Sequence, residues 1–525
     1  MRKISSSQVF KSYNQQQFLL LPPSLEELIG STHLVRVVNE LVERMDISAL
    51  LDLYEGGGAS AYHPRMLLKI LLYAYSVKIY TGRKIANALT RDINFMWLSA
   101  MNRPDFRTIN NFRSSKAKAV IEVLFKQMLE FLVEHNYIKM ENYFCDGSTF
   151  VADGNKHKMV WKKNAERYKA LTEQKCKSLF QEIDQLNALE DKQYGTSNLE
   201  ENGYSSTVTP EAIRTQVNKL NEQLKKVTDK KITRKAQSLK KKLHQAASKM
   251  NKYRRQIAQA GRRSGYNKTD TDASGMRMKN KVEVLPAYNV LAGSENQFIT
   301  GVSVHQTTHD GVCFKEHLHQ LGSQQPLQPK KIIADSIFGT EQNYELLEQK
   351  QMGNYMKFPS LHAEQKKSYQ NNLFLKDHFT YDKVADTYTC PNQQVLTFKH
   401  RKQLTHPTTG YLSELKEYEC RSCTGCPFYE KCCKSTTGAN RKLQVNEKLE
   451  KYKQTARENL TTELGKQLRK QRSIEIESCF GDIKHNMGFR RFHVRGIQKV
   501  KTEFFLIAMA HNFRKIQLQP LKMNR

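Results

Sequence analysis

KKIIADSIFG, residues 330–339, reads as a short apolar strand that ends on Asp335 and a turn, and EQNYELLEQ from Glu341 reads as a helix. An acid at the carboxyl end of a strand, just before a helix, stands where α/β sheets gather ligand-binding groups. Strand-like sequence also occurs upstream, at KVEVLPAYNVLA (281–292) and QFITGVSVH (297–305). A further strand, YFCDGSTFVA (143–152), carries Asp146. The pattern predicts an α/β core assembled from strands that lie far apart in the chain.

Downstream, RSIEIESCFGDIK (472–484) has helical spacing. Ile476, Phe480, Ile483 and Met487 form one apolar stripe, and Glu477, Gly481 and Lys484 form the stripe beside it. Such a helix can dock on a sheet while presenting Glu477 and Lys484 together. Gly481 is unfavourable in mid-helix, so it is expected to leave room for a close backbone or a metal shell. A second apolar-striped helix, from Val500 to Ile516, closes the chain.

The segments between these elements set the organisation. Residues 1–135 read as a helical N-terminal domain, with helices from His33, from Pro64, from Arg83 and from Asp105. Short helices of which the last is basic have the loose pattern of a helix-turn-helix DNA reader. Residues 136–165 and 265–355 read as two parts of the core, and 466–525 as the helices that complete it. Between the core parts, 166–264 reads as a helical insertion. Ile213, Val217, Leu220, Leu224 and Val227 recur at alternating four and three, as do Ile232, Ala236, Leu239, Leu243, Ala246 and Met250. That is coiled-coil spacing. The earlier stripe of Leu179, Ile183 and Leu186 is separated from it by a polar loop at 195–210. Residues 356–465 read as a β-rich insertion with a cysteine cluster, followed by a polar helix.

Charge separates the function classes. The 525 residues hold 84 Lys and Arg against 52 Asp and Glu, a net +32. Basic side chains displace condensed counterions from a phosphate backbone, so double-stranded DNA is the expected partner. Between Glu211 and Tyr266, 17 basic residues face only 3 acidic ones. Arg254, Arg255, Arg262 and Arg263 there, and Arg490, Arg491 and Arg495 near the end, are the candidate DNA contacts. The longest apolar run, Met66 to Tyr75, is broken by Lys69 and is too short for a bilayer. The first residues lack the apolar core of a signal peptide, so a cytoplasmic protein is expected.

Five of the ten cysteines fall between Cys420 and Cys433. In a reducing compartment such a cluster reads as a metal site. Cys420, Cys423, Cys426 and Cys432, with Cys390 upstream, offer more thiolates than the four a structural zinc takes. The spacing lacks the Cys-Pro ending of a common iron–sulfur pattern. Cys145, Cys176, Cys313 and Cys479 stand alone.

The acids suggest a reaction class. Cutting and rejoining DNA calls for two divalent ions about 4 Å apart, one at the attacking and one at the leaving oxygen. Magnesium, or manganese, is held there by a few carboxylates converging from rigid elements. Asp146, Asp335 and Glu477 are the candidates.

The sequence around these acids resembles a known family. DGSTFVADGNKHKMVWKK from Asp146, ADSIFGTEQNYELL from Ala334 and RSIEIESCFGDIKHNMGFRRFHVRG from Arg472 are similar to the three acid motifs of DDE transposases from bacterial insertion sequences. The stretches YHPRMLLK, YTGRKI and RPDFRTINNFR are similar to the N-terminal domain of the same family. The likeness points to group eleven-eighty-two, related to the insertion-sequence-four superfamily. It implies an RNase H-like core, with Asp146, Asp335 and Glu477 as magnesium ligands. It also implies binding to terminal inverted repeats, and two or more protomers on paired ends. Related enzymes carry tyrosine, arginine, glutamate and lysine at set spacing on the last motif. Lys484 fits the lysine, but Lys470 stands at the tyrosine position and Ser473 at the arginine position, with Arg472 one place away. Hydrolysis followed by strand transfer is therefore expected, rather than a hairpin-forming excision. Two other readings compete: a catalytically idle DNA-binding descendant, against which the three acids argue, and a nuclease without strand transfer.

Overall fold

The computed structural model describes residues 24–54, 60–194, 209–224, 230–278, 283–433 and 438–519. In chain order its strands begin with β1 (Asn142–Val151), β2 (Met159–Trp161), β3 (Gly265–Asn267) and β4 (Ser274–Arg277). There follow β5 (Val284–Glu295), β6 (Phe298–His305), β7 (Lys331–Ala334) and β8 (Gly353–Asn354). The last five are β9 (Thr380–Asp382), β10 (Thr387–Thr389), β11 (Val395–Thr405), β12 (Leu412–Cys420) and β13 (Lys442–Val445).

The main sheet is mixed. β1 lies between β5, to which it is antiparallel, and β7, to which it is parallel. β8 continues the parallel side, while β6 and β4 both pair antiparallel with β5. Nearly every residue of β5 and β6 is buried, because helices cover both faces. Alternate side chains part to opposite sides, as the pleat requires. Tyr143, Cys145, Ile332 and Ala334 join a core with helices Asp310–Gln324, Glu341–Gln349 and Glu447–Thr461. Phe144, Phe150 and Ile333 join the core on the other side, with helices Glu463–Gly481 and Ile497–Leu518.

That second core also takes in the N-terminal helices without a break. Helix Pro64–Ser76 starts on proline, whose fixed φ suits the first helical position, and eleven of its thirteen residues are buried. Asp92 and Asp105 cap the helices that follow, accepting from Asn94 N at 2.8 Å and Thr108 N at 2.7 Å. Helix Ile497–Leu518 is buried along most of its length, which explains an apolar pattern that nearly encircles it. Its Glu503 is fully buried and accepts hydrogen bonds from Tyr75 Oη at 2.8 Å and His493 N at 2.8 Å. Arg113 lies 3.6 Å away and supplies the opposing charge. A buried carboxylate needs such partners, and these come from both ends of the chain.

Between β2 and β3, which pair as a two-stranded neck, the chain runs through helices Lys162–Tyr194, Pro210–Leu224 and Lys230–Ala260. Cys176, Leu179, Ile183, Ile213, Val217, Leu239, Leu243 and Met250 are buried together there. Val227, the loop at 195–208 and the side chains of Leu186, Leu220, Leu224 and Ile232 lie outside the described residues. The neck is tight: a Cβ on Gly265 would overlap the backbone of Val160.

The remaining strands form a separate antiparallel sheet in the order β13-β12-β11-β10-β9. Its small core includes Phe379, Leu396, Tyr418 and Leu443, with cysteines at one end. Its other end touches the helix that follows Asp335. Tyr411 Oη donates to Glu345 at 2.5 Å, and Ser413 Oγ donates to Glu341 at 2.6 Å. Among the described residues, no helix is long and apolar enough to cross a membrane.

Candidate active site

Parallel pairing aligns Cys145 with Ala334, so Asp146 and Asp335 each follow directly after the last paired residues of β1 and β7. Cys145 and Ala334 both enter the core on the Asp310–Gln324 side. Asp146 therefore faces the other side, towards helix Glu463–Gly481. Asp335 directly follows β7 and caps the turn Ser336–Phe338, accepting from Ser336 N at 2.8 Å. Lys357 Nζ lies 3.9 Å from its Oδ1.

Helix Glu463–Gly481, capped by Thr462, begins well before the residue expected from sequence. Its buried stripe of Ile476 and Phe480 presses on the sheet and leaves Glu477 half exposed. Arg472 joins the two sides of the cleft. Its Nη2 donates to Glu477 Oε1 at 3.0 Å, and its Nη1 lies 3.7 Å from Asp146 Oδ2. One largely buried guanidinium thus faces two carboxylates.

Lys484 lies beyond a change of helix type. The α-helix ends at Gly481 and a π-helical turn, Asp482–Asn486, follows. The wider turn carries Lys484 to β1. There its Nζ donates to Ser148 Oγ at 2.6 Å and Thr149 O at 2.9 Å, and sits 4.5 Å from the Phe150 ring centre. Ser148 is two residues along β1 from Asp146 and shares its face. A Cβ on Gly481 would meet no atom within 4 Å, so no described part of this chain makes the close approach expected there.

The neighbouring acids have other partners. Glu475 is buried and accepts from Gln297 N at 2.6 Å, at the two-residue turn between β5 and β6. Asn296 and Gln297 both have positive φ there, the geometry of a tight hairpin. Asp482 accepts from His511 Nδ1 at 2.8 Å. Asp153 pairs with Arg491 at 2.6 Å and with Arg495 at 2.8 Å.

Sequence reasoning passed over Arg472 as a site residue and Asp310 altogether. The carboxylate of Asp310 lies against Gly147, where a Cβ would overlap it, and accepts from Asn289 Nδ2 at 2.5 Å. The glycine directly after Asp146 was the one available signal.

The candidate DNA-contacting arginines differ in what they already hold. Arg254 and Arg255 are exposed, with Arg254 3.5 Å from Glu211. Arg262 is exposed and donates to Thr408 O at 3.3 Å. Arg490 donates to Lys484 O at 3.0 Å. Arg263 serves the neck: it donates to Thr271 O and Asp272 O, both at 2.9 Å, and to Gln259 O at 2.7 Å.

Asp146, Asp335 and Glu477 offer only oxygen donors, which suit hard divalent ions such as magnesium or manganese. The set fits in donor chemistry. Among the described residues, no three His, Cys, Asp or Glu side chains stand grouped as they would be around an ion. In this arrangement Arg472 provides the compensating charge.

Comparison with known proteins adds family information. Residues 389–517 match the model described as Transposase DDE domain, a span that includes Glu477 and Lys484. Residues 23–115 match Transposase domain (DUF772), over the N-terminal helices. No curated protein and no solved structure matches the chain. One match thus lies over the N-terminal helices and the other over the helix that carries Glu477, and both models describe transposase domains.

Proposed function

We propose that this chain binds the ends of an insertion sequence, cuts DNA there and joins the freed 3′ ends to a target, with Asp146, Asp335 and Glu477 as its metal-holding acids. One observation carries the reading. The β1–β7 register aligns the residues just before Asp146 and Asp335, and Arg472 links Asp146 to Glu477 on the facing helix. The strand order, with β5 antiparallel to β1 on one side and β7 and β8 parallel to it on the other, supports an RNase H-like core. Relation to the insertion-sequence-four superfamily rests on the motifs around the three acids.

Bound at these carboxylates, magnesium would activate the attacking oxygen and stabilise the leaving one. The chain's own residues do the rest. The β1–β7 pairing fixes the spacing of two acids, and the Ile476 stripe fixes the approach of the third. Lys484, anchored on Ser148, places a positive charge along β1 beside Asp146, where a scissile phosphate would be drawn. Exposed arginines such as Arg254 and Arg255 hold the phosphate backbone without reading bases. Two or more protomers on paired ends complete the proposal.

The test is a joining assay with pre-cut DNA ends carrying the element's inverted repeats. Magnesium-dependent joined product is expected. Cleavage with no joining would make the protein a nuclease, and neither activity, with binding intact, would make it an idle descendant.

A further inference from the structure

Six cysteines line a single pocket at the end of the small sheet: Cys390, Cys420, Cys423, Cys426, Cys432 and Cys433. Among the described residues no carboxylate or imidazole lines it, so a ligand set drawn from them is all sulfur. Thiolates select zinc, copper(I) or iron–sulfur chemistry. Six are too many for one tetrahedral ion, and hydrogen-bond direction separates them.

A thiolate accepts hydrogen bonds, whereas a thiol can donate one. Cys390 Sγ accepts from Gln394 N at 3.4 Å, and Cys423 Sγ accepts from Arg441 N at 3.3 Å. Cys426 Sγ accepts from Asn392 Nδ2 at 3.5 Å. By contrast, Cys420 Sγ donates to Ser422 O at 3.4 Å and Cys433 Sγ donates to Ala439 O at 3.2 Å, and both residues are buried. Among the described residues Cys432 has no such carbonyl acceptor, and it is less buried than these two.

The backbone supports the division. Cys390 opens a tight turn in which Gln393 N donates back to Cys390 O at 2.9 Å and Gln393 has φ +55°. Cys423 and Cys426 flank a second turn, closed by Cys426 N on Cys423 O at 3.3 Å, with Gly425 at φ +72°. Two turns, the first of which directs its Gln394 amide at Cys390 Sγ, joined by a fourth cysteine on a short helix, suit a structural ion. Arg441, also at the pocket, would offset the double negative charge of zinc bound by four thiolates.

We propose that Cys390, Cys423, Cys426 and Cys432 bind one structural zinc ion, while Cys420 and Cys433 stay protonated core residues. The four sulfurs close on the ion by side-chain rotation. The ion ties the β10–β11 turn to the loop after β12, so the sheet that braces the helix after Asp335 depends on it. This site stands apart from the three acids, so a failure of the zinc assignment is read separately from a failure of the proposed reaction.

The full-length chain, purified under reducing conditions, should contain one zinc per chain by elemental analysis. Serine at 390, 423, 426 or 432 should each weaken zinc binding more than about tenfold in competition with a chromophoric chelator. Cys420→Ser and Cys433→Ser should keep it. Cobalt(II) substituted into the wild-type chain should show thiolate charge-transfer bands and the strong visible absorption of a tetrahedral site, which decides the matter if a variant fails to fold. Absence of metal, iron in place of zinc, a cobalt spectrum without thiolate bands, or zinc lost on Cys420→Ser but kept on Cys390→Ser would each overturn the assignment.

Discussion

Arg472 donates to Glu477 across five residues of one helix, at 3.0 Å, and the same guanidinium lies 3.7 Å from Asp146. Its Nε is buried with no acceptor among the described residues, which leaves the two carboxylates as the partners of the group. Replacing it with methionine would leave two facing acids uncompensated. Arg472→Met should lower metal-free stability by about 1–2 kcal/mol, a figure reduced for the exposure of Glu477. Millimolar magnesium or manganese should restore much of that loss, because the ion neutralises the same charges. Denaturant melts with and without ion check this. A variant as stable as wild type without metal would mean that the bridge has no energetic weight.

The three acids carry the sharpest functional expectation. Asp146→Asn, Asp335→Asn and Glu477→Gln should each reduce magnesium-dependent cleavage and joining to near background while leaving DNA-end binding largely intact. Loss of a positioned ion costs several kcal/mol of transition-state stabilisation. The controls need care. Glu475→Gln weakens the anchor of the β5–β6 turn and should cost about 1–2 kcal/mol of stability, yet keep activity where the protein is folded. If Glu475→Gln were folded and dead while Glu477→Gln was active, the third acid would be Glu475.

These pairings explain what the sequence could convey. The helical stripes at 213–250 and 476–487 were legible because periodicity is local, and their described members are buried. The strand that ends at Asp335 was legible for the same reason. The place of β1 between β5 and β7 was not, because it depends on pairing between segments far apart in the chain. Nor was the role of Glu475. It lies two residues from Glu477, which turns it by about 200° on a 3.6-residue helix and buries it in the hairpin turn. The π turn that carries Lys484 to Ser148 leaves no local pattern, and neither does Glu503, which joins the N-terminal helices to the last one.

His511 gives the fold a pH dependence. Burial is the largest single influence and opposes its charge, but Asp482, Cys479 and Gln297 O together outweigh it and raise its pKa to about 10. Asp482 is also penalised by burial, yet His511 holds its carboxyl below the usual range. A histidine raised from about 6.5 contributes fully below that pH and loses its contribution as pH climbs towards 10. A lowered aspartate contributes above about 3.8 and is lost in acid. Stability from this pair should therefore be greatest between about pH 4 and 6.5. Urea melts of wild type and His511→Asn at pH 6 and pH 9.5 should show a gap that narrows at the higher pH. A gap of constant size would mean that His511 is neutral in the fold.

The basic helices between β2 and β3 should contribute DNA affinity with little sequence preference, but their arginines should not behave alike. Arg254 and Arg255 are exposed on helix Lys230–Ala260, so replacing both with glutamine should flatten the salt dependence of binding. The expected change in log–log slope is up to about 0.9 for each phosphate that is no longer neutralised. Arg263 already donates to Thr271 O, Asp272 O and Gln259 O at the neck. Burial lowers its pKa, a further sign that it faces protein more than solvent. Arg263→Gln should therefore lower the melting temperature and leave the salt slope of the folded protein nearly unchanged. Fluorescence anisotropy across a salt series, with a melt of each variant, separates the two effects. An unchanged slope for the Arg254 and Arg255 double variant would assign the charge of this region to another protomer or to solvent. A flattened slope for Arg263→Gln would place DNA at the neck, beside Asp272 and the start of helix Ile497–Leu518, whose Ile497 N donates to Asp272 at 3.0 Å.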